Sequence, residues 1–178
     1  MNEYSPAVIA AAKEIKLIIF DVDGVLTDGK ITYSSSGEEL KSFHVRDGHA
    51  IKMAFRAGLG VAVITGRQSP IVERRCGELG IEMLYQGIKD KHIAIGEILQ
   101  RTGLTASQVA CMGDDVVDLR LMTIAGLGCC PSDAAREVRQ RADLVTSAPG
   151  GQGAARELIF FILQAQGLLE GLMERYVP

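Results

Sequence analysis

The sequence predicts an α/β fold, a doubly wound, Rossmann-like parallel sheet with helices on both faces. Two observations support this prediction. Short apolar runs alternate with helix-length segments along the chain, as in repeated strand–helix units. The strongest runs are almost entirely apolar, which is typical of strands buried on both faces. Strong strands are predicted at 16–20, 60–64 and 108–112, and weaker ones at 82–85, 126–130 and 143–146.

Helices are predicted between these strands from apolar periodicity and from the glycines that end helical segments. They cover 47–58, 70–79, 90–102, 116–123, 133–141 and a last segment from about 153 to beyond 168. Asp47 is predicted to cap the first helix. The alternating segments 30–34 and 40–45 surround a polar turn and predict a β-hairpin inserted after the first strand.

Length and composition limit the class of protein. The 178 residues predict one domain, 1–178, with the hairpin as an insertion at about 29–46 and no room for a cap domain. A net charge of −3 with scattered basic residues argues against nucleic-acid binding. The sequence shows neither a secretion signal nor an apolar run of about 18 residues, so we expect no membrane span and a cytoplasmic protein. The four cysteines lack C-x-x-C spacing and are predicted to be reduced, buried thiols.

Polar residues follow each of the three strong strands. They are Asp21 and Asp23 after the first, Thr65, Gly66 and Arg67 after the second, and Asp114, Asp115 and Asp118 after the third. Lys91 begins the helix that precedes the third strand. Because parallel sheets bind ligands at the carboxyl ends of their strands, we expect these groups to converge at one edge.

The converging groups are suited to phosphoryl transfer. Mg²⁺ prefers oxygen ligands and keeps several waters, so Asp21 and Asp114 are sufficient protein ligands. A phosphoryl group needs positive charge and hydrogen-bond donors, which Lys91, Thr65 and Gly66 can supply.

The two aspartates after the first strand are predicted to divide the chemistry. A carboxylate nucleophile at Asp21 would form an aspartyl-phosphate and split hydrolysis into two steps. Asp23, two residues further on, is within reach of the leaving oxygen and could act as the acid and then the base.

Four motifs occur in order: DVDGV at 21–25, Thr65 in ITGR, Lys91, and GDD with Asp118. In this respect the sequence resembles the haloacid dehalogenase superfamily of phosphatases. The resemblance implies that Asp21 is the nucleophile and a metal ligand. It implies that Asp23 is the acid/base and lends the metal its backbone carbonyl. Asp114 would complete the protein ligands, and Asp115 and Asp118 would support them from behind.

Further segments resemble one capless family within this superfamily, including FHVRDGHAIK, VITGRQS, MGDDVVDL and GGQGAARE. That family hydrolyses 3-deoxy-D-manno-octulosonate 8-phosphate in lipopolysaccharide precursor biosynthesis. The resemblance implies a homotetramer in which four hairpins associate and a neighbouring subunit helps to close the site. An apolar hairpin face of Ile31, Tyr33, Leu40 and Phe43 agrees with this expectation. A hairpin folded over its own domain is the alternative.

The implied substrate is an eight-carbon 2-keto acid, whose carboxylate suits a guanidinium group. Arg67 is the first candidate, ahead of Arg46 and Arg156. The alternatives are a phosphatase for a nine-carbon, sialic-type sugar acid 9-phosphate, a sugar phosphomutase, and a non-catalytic tetrameric scaffold. A scaffold would not need an acid/base at Asp23, and a mutase usually needs a cap to exclude water.

Overall fold

The computed structural model describes residues 4–176. Its strands are β1 (Leu17–Phe20), β2 (Thr32–Tyr33), β3 (Glu39–Leu40), β4 (Gly60–Ile64), β5 (Met83–Tyr85), β6 (Val109–Met112), β7 (Leu127–Cys130) and β8 (Leu144–Val145). Its helices are α1 (Pro6–Glu14), α2 (Val45–Arg56), α3 (Pro70–Leu79), α4 (Lys91–Thr102), α5 (Leu119–Ile124), α6 (Arg136–Arg139), α7 (Ala154–Ala165) and α8 (Leu169–Met173). None of the helices in this part of the chain is both long and apolar enough to cross a bilayer.

Six strands form one parallel sheet in the order β5-β4-β1-β6-β7-β8, which confirms the predicted fold class. β1 lies at the centre, between β4 and β6. Phe20 at its end is paired with Val63 on one side and Met112 on the other. Because the three strands end at the same level, the residues that follow them meet at one edge of the sheet.

Helices cover both faces of the sheet. Ile18 and Phe20 face the layer that contains α1, α2, α3 and α7. Leu17 and Ile19 face the layer that contains α4, α5 and α6. All four side chains of β1 are at most 1% exposed. The strand is therefore buried on both faces, as its unbroken apolar run predicts.

The start of α2 differs from the sequence prediction. The helix begins at Val45, and its cap is His44, whose Nδ1 accepts the N–H of Arg46 at 3.2 Å. The prediction that Asp47 caps this helix is wrong. The Asp47 carboxylate is buried and accepts the N–H groups of Gly153 and Arg156, at 3.2 and 2.8 Å, at the start of α7. Asp47 is thus a cap residue, but for a helix more than 100 positions away in sequence.

Both termini also differ from the prediction. The last helix does not continue past Leu168, because α7 ends at Ala165 and the chain turns at Gly167 with φ of +71° before α8. The tail beyond Tyr176 lies outside the described residues. At the other end, α1 was not predicted, although Ser5 caps it and Pro6 begins it.

The predicted hairpin is present, but each of its strands, β2 and β3, has only two residues. Ile31, Tyr33 and Leu40 are 48%, 60% and 54% exposed, as expected for an uncovered apolar face. Phe43 does not belong to that face, because it packs against the core under the guanidinium of Arg75.

Candidate active site

The loop after β1 presents Asp21 and Asp23 at the edge of the sheet. Asp21 continues the ladder, since its N–H donates to the carbonyl of Met112 at 3.0 Å. The carbonyl of Val22 then accepts three successive N–H groups, from residues 25 to 27, and closes a tight turn. Asp21 is consequently held almost fully buried, whereas the Asp23 side chain keeps 21% of its surface exposed.

Lys91 binds two aspartates in the interior of the site. Its ammonium is 2.7 Å from Asp21 Oδ1 and 2.5 Å from Asp118 Oδ1. The three side chains are at most 10% exposed, so the ion pairs are shielded from water. The predicted convergence of Lys91 on Asp21 is therefore present.

Asp118 connects this cluster to the loop after β6. Its Oδ2 accepts the N–H groups of Asp114 and Asp115 at 3.1 and 3.3 Å. With one oxygen on Lys91 and the other on the loop, Asp118 fixes the backbone from which Asp114 projects. Asp115 is exposed and caps the short 3₁₀ turn that follows, accepting the N–H of Val116 at 2.7 Å.

Asp114 lies directly against the loop after β1. A Cβ atom on Gly24 would be 2.0 Å from Asp114 Oδ2, so only glycine allows this approach. Carboxylate oxygens of Asp21, Asp114 and Asp118 all lie within 4.8 Å of one another. These acids, which follow two different strands, form one compact set of oxygen ligands.

The electrostatics of this set favour a bound cation. Burial, only partly offset by Lys91, raises the pKa of Asp21 to about 6 from an ordinary 3.8. Burial and then the charges of Asp21, Asp118 and Asp115 raise the pKa of Asp114 to about 7. Burial alone would lower the pKa of Lys91, but the charges of Asp21 and Asp118 raise it. One ammonium thus serves several carboxylates, and a further positive charge would relieve their repulsion.

The loop after β4 lines the same cleft and carries the residues predicted to bind phosphate. Thr65 is buried, and its Oγ1 accepts the N–H of Arg67 at 3.4 Å. Gly66 and Arg67 line the same cleft as Asp21 and Lys91. The Arg67 guanidinium donates to Glu39 at 3.0 Å and lies 3.8 Å from Asp23 Oδ2. Arg67 is therefore in the cleft, as predicted, but already bound to an acid of the hairpin.

Two other predicted arginines are not brought to this cleft. Arg46 is exposed on the first turn of α2 and does not line it. Arg156 stacks its guanidinium over the Phe160 ring, 3.9 Å from the ring centroid. The substrate role of Arg46 stays a prediction that nothing in the geometry of the cleft supports.

Lys41 and Lys89 are functional candidates that the sequence analysis missed. Lys41 pairs with Asp23, and Lys89 lines the cleft, which has a volume of about 380 Å³. Neither lysine carries a local signal, because one lies in an alternating hairpin and the other in a polar loop. Proximity in space alone identifies them.

The glycine-rich loop 149–153 packs against the loop that follows β1. A Cβ on Gly150 would lie 1.9 Å from the carbonyl oxygen of Gly24, and one on Gly151 would meet the backbone of Thr27. The N–H of Gly151 donates to the carbonyl of Val25 at 2.9 Å. The GGQG sequence therefore allows two loops to pack backbone against backbone.

Comparison with known proteins agrees with this geometry. The sequence profile of the haloacid dehalogenase-like hydrolases matches residues 81–158. The 3-deoxy-D-manno-octulosonate 8-phosphate phosphatase KdsC of Salmonella typhimurium is 46% identical over 166 residues, which are 93% of this chain and 88% of that protein. The chain is a haloacid dehalogenase-like hydrolase. Over nearly its whole length it belongs with the KdsC phosphatases.

Two solved structures of such haloacid dehalogenase-like hydrolases resemble this one. The phosphatase of the same name from Yersinia pestis has a TM-score of 0.92 and 44% identity over 93% of this chain and 90% of that one. The one from Moraxella catarrhalis has a TM-score of 0.93 and 38% identity over 95% of this chain and 97% of that one. The Moraxella catarrhalis protein was solved in complex with magnesium ion, phosphate ion and a KDO molecule.

In this hydrolase the donor set fits Mg²⁺. The carboxylates of Asp21 and Asp114 line the cleft and would supply hard oxygen ligands. Asp118 is committed to Lys91 and to two backbone N–H groups, so its position matches the supporting role that the family resemblance implies. Lys91 balances part of the acidic charge, and the metal would balance the rest.

Proposed function

We propose that this protein is a Mg²⁺-dependent phosphatase that releases phosphate from 3-deoxy-D-manno-octulosonate 8-phosphate. One observation carries the proposal: the buried Asp21 carboxylate shares a cleft with Lys91, Thr65 and Asp114. Relatives 46% identical over 93% of the chain are named for this activity and support the choice of substrate.

In the first step, an oxygen of Asp21 attacks phosphorus, and the bond from phosphorus to the sugar oxygen breaks. Asp23 gives its proton to that departing oxygen, so the sugar acid leaves as a neutral alcohol at this position. Lys91 and the Thr65 hydroxyl bind oxygens of the phosphoryl group. Bound Mg²⁺ would supply positive charge to the same oxygens and to Asp21.

In the second step, water attacks the phosphorus of the aspartyl-phosphate. Asp23, now a carboxylate, takes a proton from this water, and the bond from phosphorus to Asp21 breaks. Inorganic phosphate leaves, and both aspartates return to their starting states. Asp21 and Asp23 thus remain distinct in role: the first is buried beside Lys91, and the second faces the open cleft.

The positive side chains at the rim suit an acidic sugar. Arg67 and Lys89 line the cleft. Arg67 donates through Nη2 to Glu39 and Tyr33, which leaves Nη1 for a substrate carboxylate. A guanidinium already fixed by Glu39 loses less side-chain entropy when the sugar acid binds.

We also propose that residues 1–178 act as one catalytic domain and that four subunits associate through their hairpins. The exposed apolar side chains of Ile31, Tyr33 and Leu40 support the association, since they are covered by no part of residues 4–176. The four buried, free cysteines are consistent with a reducing cytoplasm. Sedimentation or light scattering would test the assembly, because Leu40→Glu should give smaller species.

The activity is tested by phosphate release from the octulosonate phosphate with Mg²⁺ and with EDTA. We expect release only with Mg²⁺, and we expect none from Asp21→Asn. A panel that includes a nine-carbon 2-keto sugar acid 9-phosphate separates the main alternative substrate by relative kcat/KM. Mg²⁺-dependent turnover by Asp21→Asn, at a rate near that of the wild type, would contradict the mechanism.

A further inference from the structure

Lys41 occupies an unusual position for a hairpin lysine. It follows Leu40, which is 54% exposed, yet only 1% of the Lys41 side chain is exposed. Its ammonium pairs with Asp23 Oδ1 and lies 3.5 Å from Glu39 Oε1. A buried ammonium is costly unless it is paired, and this one is paired with the residue assigned to proton transfer.

Glu39 holds this ammonium in place. Its Oε2 accepts the hydroxyl of Ser69 at 2.9 Å, and its Oε1 accepts Arg67 at 3.0 Å. Burial alone would raise the pKa of Glu39, but the hydrogen bonds from Ser69 and Arg67 and the charge of Lys41 lower it. A chain of contacts thus leads from the start of α3, through Glu39 and Lys41, to Asp23.

The two oxygens of Asp23 are unequally engaged. Oδ1 is bound by Lys41, whereas Oδ2 has no hydrogen-bond partner within residues 4–176 and faces Arg67 Nε at 3.8 Å. One oxygen is therefore fixed by the protein, and the other is available to donate or accept a proton. Such fixation limits the rotation of a partly exposed side chain in the open cleft.

A purely structural role for Lys41, as a salt bridge that holds the hairpin in place, explains fewer of these observations. Lys30 on the same hairpin forms an ordinary exposed pair with Asp28, with 79% of its own side chain in solvent. A structural salt bridge of that kind requires neither burial nor a partner in the active site. Lys41 has both, and it reaches Asp23 across 18 positions in sequence.

We propose that Lys41 is a positioning residue that orients Asp23 for both proton transfers, with Glu39 fixing Lys41 in turn. Lys41 itself transfers no proton: it donates hydrogen bonds to Oδ1 throughout the cycle. The inference rests on the proposed function, because it concerns how the acid/base of that reaction is held.

The test compares Lys41→Met, which keeps the packing but removes the charge, with Lys41→Arg, which keeps the charge. Lys30→Met is the matched control on the same hairpin. With the octulosonate phosphate, we expect Lys41→Met to lower kcat about tenfold to a hundredfold, with KM within about threefold. Lys41→Arg should recover most of kcat, and Lys30→Met should equal the wild type.

A second substrate separates positioning from folding. p-Nitrophenolate leaves without a proton, so forming the aspartyl-phosphate from p-nitrophenyl phosphate does not need an oriented acid, whereas hydrolysing it needs an oriented base. We expect Lys41→Met to show a rapid burst of p-nitrophenolate followed by slow turnover. Melting curves would confirm that the variants are folded.

Several results would overturn the inference while leaving the proposed function intact. Each assumes that the wild type is active. The first is an unchanged kcat in Lys41→Met, and the second is an effect of that variant on KM alone. The third is an equal loss of the burst and of steady turnover in Lys41→Met that Lys41→Arg does not recover. A wild type that releases no phosphate from either substrate would instead overturn the proposed function and, with it, this inference.

Discussion

The ammonium of Lys91 lies 2.7 Å from Oδ1 of Asp21. This oxygen belongs to the carboxylate that we propose attacks phosphorus. The same ammonium is 2.5 Å from Oδ1 of Asp118, so it holds two buried carboxylates close together. Removing it would leave these acids facing each other in the interior. In the absence of metal, the charge balance of these two buried acids therefore depends on one side chain.

Lys91→Met is expected to lower kcat by about a hundredfold to a thousandfold, because a cation that stabilises the phosphoryl oxygens is lost. In EDTA, the free energy of unfolding should also fall by about 3 kcal/mol, since a buried ion pair is broken. Phosphate release and urea denaturation measure the two effects. Lys13→Met, an exposed change on α1, is the control and should alter neither. Retention of full activity by Lys91→Met would contradict the assignment.

Asp118→Asn tests how the loop that carries the proposed metal ligand Asp114 is held in place. Asp118 accepts hydrogen bonds from the N–H groups of Asp114 and Asp115 and from Lys91. An amide cannot accept on both sides, so the loop that carries Asp114 should lose its fixed position. We expect Mg²⁺ affinity to fall about tenfold to a hundredfold by calorimetry. An unchanged affinity would show that the loop is held by other contacts.

Mg²⁺ binding should depend on pH. In the metal-free protein, the pKa values of Asp21 and Asp114 are raised from 3.8 to about 6 and about 7. The folded protein keeps these protons while the unfolded chain has released them, so stability is lost as pH rises from about 4 to about 7. Mg²⁺ must displace the protons, and its affinity should therefore rise with pH up to about 8.

The measurement is the melting temperature in EDTA and in Mg²⁺ at about pH 5.5 and about pH 8. We expect Mg²⁺ to raise the melting temperature more at the higher pH. Asp114→Asn removes both a titrating group and a proposed metal ligand, so it should reduce the effect of Mg²⁺ at both pH values. An equal increase at both pH values would contradict the raised pKa values.

Gly24→Ala tests the contact between the loops that follow β1 and β6. The new Cβ would lie 2.0 Å from Asp114 Oδ2, so the methyl group must displace this carboxylate. We expect Mg²⁺-dependent phosphate release to fall at least about tenfold, as a catalytic group moves by about an ångström. Gly37→Ala is matched in backbone strain, with φ of +85° against +93°, but meets nothing within 4 Å. Equal activity in the two variants would contradict the proposed crowding.

The main features of the fold and the position of the site were predictable because they depend on local patterns. An apolar run such as 60–64 predicts a buried strand, and strands that end together bring Asp21, Thr65 and Asp114 to one edge. Long-range contacts have no such pattern. An aspartate at the start of a helix looks the same whether it caps that helix or, as Asp47 does, a distant one.

Lys41 shows the same limit at the active site. In the sequence it is one polar residue in the alternating hairpin segment, for which solvent exposure is the ordinary outcome. Only the way the hairpin folds back, with Glu39 bound to Arg67 and Ser69, places the lysine beside Asp23. The break at Gly167 was missed for another reason, because the apolar residues that follow it continue a helical pattern.

Because Gly150 and Gly151 contact residues 24–27, the order in which the chain is synthesised determines when the site can form. Asp21 and its loop leave the ribosome before the loop that supports them, which is synthesised more than 120 positions later. A nascent chain that already contains Asp21, Lys91 and Asp114 would still lack the supporting loop 149–153. Catalytic competence should therefore arise only after residues 149–153 have been made and α7 can dock, and translation products that stop before this loop should be inactive.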